Sequence, residues 1–135
     1  MYSFSIKVDT DLASAEKAII AALADEGFGV LTEIDVQATL KKKLGLEKLP
    51  YKILGACNPQ LAHQAIEAEP EIGVLLPCNV ILRQDESGQN IVTFMDPEAV
   101  LTLVDKAGVA DLAKQVRAKM KRVSETVETA FAPAA

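Results

Sequence analysis

The chain has 135 residues, half of them hydrophobic and only 4% aromatic, with a formal net charge of −5. A chain of this length holds one core, which here must be packed by aliphatic side chains and alanine. The acidic balance argues against a phosphate-binding surface, which needs clustered Lys and Arg, so no nucleic-acid partner is expected.

Tyr2, Phe4, Ile6 and Val8 alternate with Ser3, Ser5 and Lys7, the pattern of a half-buried strand. Asp9, Thr10 and Asp11 offer helix caps, and Leu12, Ala15, Ile19, Ala22 and Leu23 follow at helical spacing until Gly27 stops the helix. FGVLTEI (28–34) reads as a second strand. Asp35 then caps a short helix through Leu44, ended by Gly45. YKILGAC (51–57) is strand-like. Asn58 and Pro59 supply a cap and a first helical residue for a helix to about Ala68, before Pro70. CNVILRQ (78–84) and NIVTFM (90–95) flank DESG and predict a β-hairpin with a loop of about five residues. Asp96 and Pro97 repeat the cap-then-proline signal and open a helix to Val104. After Gly108, the stripe Val109, Leu112, Val116, Met120, Val123 and Val127 marks the longest helix. One hairpin, and strands that do not alternate regularly with long helices, predict an α+β fold: an antiparallel sheet with helices packed on one face. Residues 1–131 form a single domain on this reading, and 132–135 a short flexible tail.

No apolar run approaches the roughly 20 residues that span a bilayer, so no membrane partner is expected. The N-terminus lacks the basic-then-apolar order of a secretory signal. Two cysteines do not make a disulfide framework, and a reducing cytoplasm is the expected compartment.

Both cysteines precede an asparagine and lie near a proline, in GACNPQL (55–61) and LPCNVIL (76–82). If Gln84 faces Asn90 in the hairpin, Leu82 meets Val92, Val80 meets Phe94, and Cys78 falls opposite Asp96 on the apolar face. Asn79 belongs to the other, more mixed face. Cys57 stands at the start of a helix, where unpaired N–H groups and the positive dipole end can lower a thiol pKa. If its strand runs in the same direction as the one ending at Asp96, the two ends meet at one edge of the sheet, and Asp35 is a candidate to join them. The plainer alternative is that both cysteines are small apolar core residues and that Asp35, Asn58 and Asp96 only cap helices. No Cys-x-x-Cys motif occurs. His63 shares the polar face of its helix with Glu67, so neither a metal site nor a cofactor is expected. LKKKLG reads as a solvated basic face that can also draw an anion.

EGFGVLTEIDV, LKKKLG, YKILGACNPQLAHQAIEAEPEIGVLLPCNVIL and DPEAVL together resemble the family known as domain of unknown function 302, over residues 2–131. The Cys-Asn-Pro and Leu-Pro-Cys-Asn blocks are the most specific parts of the match. The resemblance implies a TATA-binding-protein-like β-α-β-β-β-β-α fold, a homodimer, and a bacterial or archaeal cytoplasm. It implies no activity, because the family has none established, and a shared fold does not carry DNA binding to an acidic chain.

Three functions follow as expectations. The first is a non-enzymatic small-ligand-binding or sensing domain, with Cys57, Asn58, Cys78, Asn79 and Asp96 as the polar groups of an otherwise apolar pocket. The second is a thiol-dependent enzyme or sulfur carrier, with Cys57 as nucleophile and Asp96 or Asp35 assisting proton transfer. The third is a structural interaction domain.

Overall fold

A computed structural model describes residues 1–132, so the last three residues of the expected tail, 133–135, lie outside the described residues. The elements are β1 Ser3–Val8, α1 Leu12–Asp25, β2 Gly29–Asp35, α2 Val36–Leu44, β3 Tyr51–Cys57, α3 Pro59–Ala68, β4 Cys78–Gln84, β5 Asn90–Met95, α4 Pro97–Leu101 and α5 Ala107–Ala130, with a 3-10 turn at Pro70–Leu75. The five strands form one antiparallel sheet in the order β1-β5-β4-β3-β2. Setting aside the short helices α2, α3 and α4 leaves β-α-β-β-β-β-α, the order that the family resemblance implies.

The caps act where the sequence places them. Asp11, Asp35, Asn58 and Asp96 each accept a backbone N–H from the first turn of the following helix, satisfying donors that have no partner within the helix. Gly27, at φ 85°, turns the chain from α1 into β2, a left-handed conformation that glycine takes without strain. Several boundaries differ from the sequence reading: β1 starts at Ser3, β2 spans Gly29–Asp35 instead of 28–34, and α5 starts at Ala107, ahead of Gly108. α4 stops at Leu101 instead of Val104. The 3-10 turn was not foreseen, because Pro70 and Gly73 there read as breakers.

The core lies between the sheet and α1 with α5. Ile19 and Leu23 of α1, and Val109, Met120, Val123 and Val127 of α5, are almost fully buried, as are Leu54, Val80, Leu82, Val92 and Phe94 of the sheet. The hairpin register is the expected one: Val80 pairs with Phe94, Leu82 with Val92, and Gln84 with Asn90. These pairs share a face because a strand's side chains alternate with period two. On the opposite face the ladder aligns Ile34, Ile53 and Ile81 in one row, with Ile34 half exposed.

Salt bridges anchor the periphery. Lys52 reaches both Glu16 of α1 (2.9 Å) and Glu33 of β2 (2.8 Å). Hydrogen bonds to Glu33 and Glu16 raise its pKa. Arg122 of α5 holds Glu26 at 2.8 Å, which keeps that carboxyl below its ordinary range.

Candidate functional site

β3 and β5 both run antiparallel to β4, so they run in the same direction with β4 between them. The ends carrying Cys57 and Asp96 therefore lie toward one edge of the sheet. Ala56 stands opposite Cys78, which makes Cys57 and Cys78 diagonal neighbours on adjacent strands. Cys57 is the last residue of β3, where the chain leaves the sheet for α3. Both thiols are free, Cys57 half buried and Cys78 5% exposed.

The two cysteines border one cavity of about 340 Å3. Ala56 and Cys78 come from the sheet, Leu61, Ala65 and Ile66 from α3, and Leu112 and Val116 from α5. Leu31 and Thr32 of β2 stand exposed at its mouth, Leu31 with 66% of its surface in solvent. Asn58 also borders the cavity, but its amide is engaged. It accepts the Leu61 N–H at 3.3 Å and donates through Nδ2 to the carbonyl of Glu26 at 3.3 Å. The same side chain thus caps α3 and clamps the α1–β2 turn, 32 residues away. A wider hollow of about 610 Å3, between Lys7–Asp11 and the β4–β5 turn, has a lining about evenly polar and apolar and touches neither cysteine.

The remaining candidate residues separate. Asn79 is exposed on the sheet face opposite Cys78, because neighbours along a strand point to opposite sides. It does not join the corner. Asp96 does not border the cavity either. Its Oδ1 caps α4, accepting from Glu98 (3.0 Å) and Ala99 (3.4 Å), and its Oδ2 meets Nε of Arg117 at 3.1 Å. Asp35 lies at the far end of the sheet. It pairs with Lys52 at the start of β3, whereas Cys57 at the end of β3 pairs with Gly29, a separation of roughly 17 Å along the strand. The antiparallel β2–β3 pairing puts the end of one strand beside the start of the other, so Asp35 cannot assist a Cys57 nucleophile. His63 is exposed on α3, and the basic run of α2 is solvated, with Lys41 against Glu47 at 3.3 Å.

The helix start does not activate Cys57. Burial raises its pKa, and burial together with the adjacent Cys57 pushes Cys78 up to about 12. The reason is local. Pro59 has no N–H, Asn58 takes the Leu61 N–H, and the Ala62 N–H bonds back to the Asn58 carbonyl at 2.8 Å. Little unpaired positive charge is left to stabilise a thiolate, and the apolar wall disfavours one. In native chain treated with iodoacetamide, Cys57 is expected to label before the buried Cys78. The thiolate is the reacting form, so the rate at Cys57 should still be climbing at pH 9. A plateau below pH 8 in the pH–rate profile would show a lowered pKa and contradict this account.

The residues that shape the cavity were largely invisible in the sequence. Leu61, Leu112 and Val116 belong to helical apolar stripes that look like ordinary core. Leu31 and Ile66 do carry a signal once the fold is known, since both are exposed aliphatic side chains at this opening.

The family model of domain of unknown function DUF302 matches residues 4–127, most of the chain. The chain belongs to the DUF302 family. Among solved structures, this DUF302 chain is similar to the crystal structure of an uncharacterized conserved protein DUF302 from Bacillus stearothermophilus. The two share 24% sequence identity, over 94% of this chain and 98% of that one, with a TM-score of 0.87. At that identity the likeness concerns the fold. No functionally curated protein matches. Among the described residues of this DUF302 chain, no group of three or more His, Cys, Asp or Glu is arranged to hold a metal ion, and no helix is long and apolar enough to cross a membrane.

Proposed function

We propose that the chain is a small-ligand-binding or sensing domain and that its binding site is the cavity at the Cys57–Cys78 corner. The supporting observation is the cavity itself. It is a concave, open-mouthed hollow bordered by the sheet, α3 and α5, and almost wholly apolar, with a few polar groups on its wall. Binding is favoured over thiol catalysis because both thiols are held neutral and neither Asp35 nor Asp96 reaches the cavity. Both cysteines stay as thiols on this reading, which suits a reducing cytoplasm.

Mass spectrometry of the freshly purified chain, native and then denatured, tests the reading. The expected result is a small molecule carried in the native state and released on denaturation, with Cys57 unmodified. A covalent adduct on Cys57 would support thiol chemistry in its place. If no bound molecule is found, and no compound in a set of small apolar molecules raises the melting temperature, the reading fails.

We further propose that the domain works as a homodimer. The support is the aliphatic row Ile34, Ile53 and Ile81 on the sheet face away from α1 and α5, which a second copy can cover. Sedimentation at micromolar concentration is expected to give twice the chain mass of 14.5 kDa. A value near 14.5 kDa rejects the dimer.

A further inference from the structure

The chemistry of the cavity wall restricts what can fill it. No lysine, arginine, histidine or carboxylate lines the space. The nearby Arg117 is committed to Asp96 at 3.1 Å and lies within 3.8 Å of Glu98, so it offers no free positive charge. A helix start borders the cavity, and such an end commonly attracts an anion. Here most of it is taken: Pro59 brings no N–H, the Leu61 N–H is held by Asn58, and the Ala62 N–H is held by the Asn58 carbonyl, which leaves the N–H of Gln60, an exposed residue that does not line the space. The polar side-chain groups on the wall are the Thr32 hydroxyl at the mouth, the thiols of Cys57 and Cys78, and the Asn58 amide, which already bonds the Leu61 N–H and the Glu26 carbonyl. All are neutral, and none can compensate the desolvation of an ion. Aromatic stacking is also scarce, since Phe28 is the one aromatic side chain on the wall.

From this lining we infer that the occupant is an uncharged, mainly aliphatic molecule with one weakly polar end, seated with its chain against Cys78, Leu112 and Val116 and its polar end at Thr32. The inference rests on the cavity being the binding site, as proposed above. Size follows from volume: at about 30 Å3 for each water-sized group, 340 Å3 takes roughly eleven non-hydrogen atoms. A saturated chain of eight or nine carbons ending in a hydroxyl or carbonyl group meets that limit. The exposed Leu31 and Ile66 at the opening extend the apolar path outward, so that a chain end can enter without crossing a charged rim.

Methyl-labelled protein titrated with three probes of equal length, 1-octanol, octanoate and n-octylammonium at pH 7.5, tests the assignment by NMR. 1-Octanol is expected to shift the methyl signals of Leu61, Ile66, Leu112 and Val116 saturably. The two ions are expected to bind at least tenfold more weakly. Ile66→Phe, a change at the half-exposed rim that leaves the core intact, is expected to weaken octanol binding, and Thr32→Val is expected to weaken it by a few fold through loss of the hydroxyl. Octanoate binding as tightly as octanol at the same methyls would overturn the neutral-ligand inference while leaving the cavity as the binding site. If none of the three probes moves those methyls, the binding-site reading falls, and the ligand class with it.

Discussion

Phe94→Ala is expected to destabilise the fold by about 3–5 kcal/mol, the cost of deleting a large buried aromatic side chain. Phe94 has no exposed surface. It stands on β5 between Phe4 of β1 and Val80 of β4, and it stacks on Phe4 with ring centroids 5.3 Å apart at 13°. Aromatic residues make up 4% of the chain, so this pair is a large share of the aromatic packing. Its cross-strand partner Val80 is itself fully buried and has little room to collapse into the space. In a chain of this size the loss corresponds to a fall in Tm of roughly 10–20 °C. Urea unfolding of Phe94→Ala beside Phe94→Leu measures it. A loss below 1 kcal/mol for the alanine variant would mean that this end of the sheet is not packed as described.

Gly55→Ala is expected to cost about 1–3 kcal/mol, although it adds a single methyl group. Gly55 lies in β3 between Thr32 of β2 and Asn79 of β4. A Cβ built there would overlap Thr32 Oγ1 and lie 2.8 Å from Pro77 Cγ. Thr32 is exposed and can rotate away, whereas the proline ring is rigid and fixed at the entrance to β4. The Pro77 contact therefore sets most of the cost. The same two residues border the mouth of the cavity, so the substitution should weaken ligand binding along with stability. Thermal melts of Gly55→Ala and of Gly55→Ala with Thr32→Ala separate the two contacts. The second change is expected to recover only part of the loss. Complete recovery would assign the strain to Thr32, and a melt within 0.5 kcal/mol of the parent would show that the close approach is not structural.

The legible and illegible parts of the molecule divide by the range of the forces involved. β3, α3, β4 and β5 have the bounds read from the sequence. Their signals act within a few residues: alternation along a strand, an Asx side chain on the N–H three residues ahead, a proline at the first helical position. The hairpin register was legible for the same reason, since a slip by one residue would turn Phe94 away from the core. The placement of Cys57 and Cys78 near one edge followed from that register together with the direction of β3, which the sequence left open and the antiparallel pairing to β4 decides.

Other features depend on residues distant in the chain. Asn58 was legible as a cap but not as a clamp on the Glu26 carbonyl. Asp96 was legible as a cap but not as the partner of Arg117, which engages its Oδ2. The expected lowering of the Cys57 pKa came from counting a helix terminus as free. The fold instead occupies most of that terminus and half buries the thiol against the apolar cavity wall, and burial opposes ionisation. Asp35 looked equivalent to Asp96 as a strand end that caps a helix, until the pairing of β2 with β3 put it at the opposite edge.

By itself, then, the sequence determined the α+β class, the starts of the side-chain-capped helices, most strand bounds and the family. Each of these depends on short-range periodicity, capping or motif identity. The tertiary structure alone decided which strand ends meet, which polar groups are already engaged, and that an apolar space remains between α3, α5 and the Cys57–Cys78 edge. Those outcomes arise from the closure of long loops and from side chains packing across elements, and no local pattern of residues encodes them.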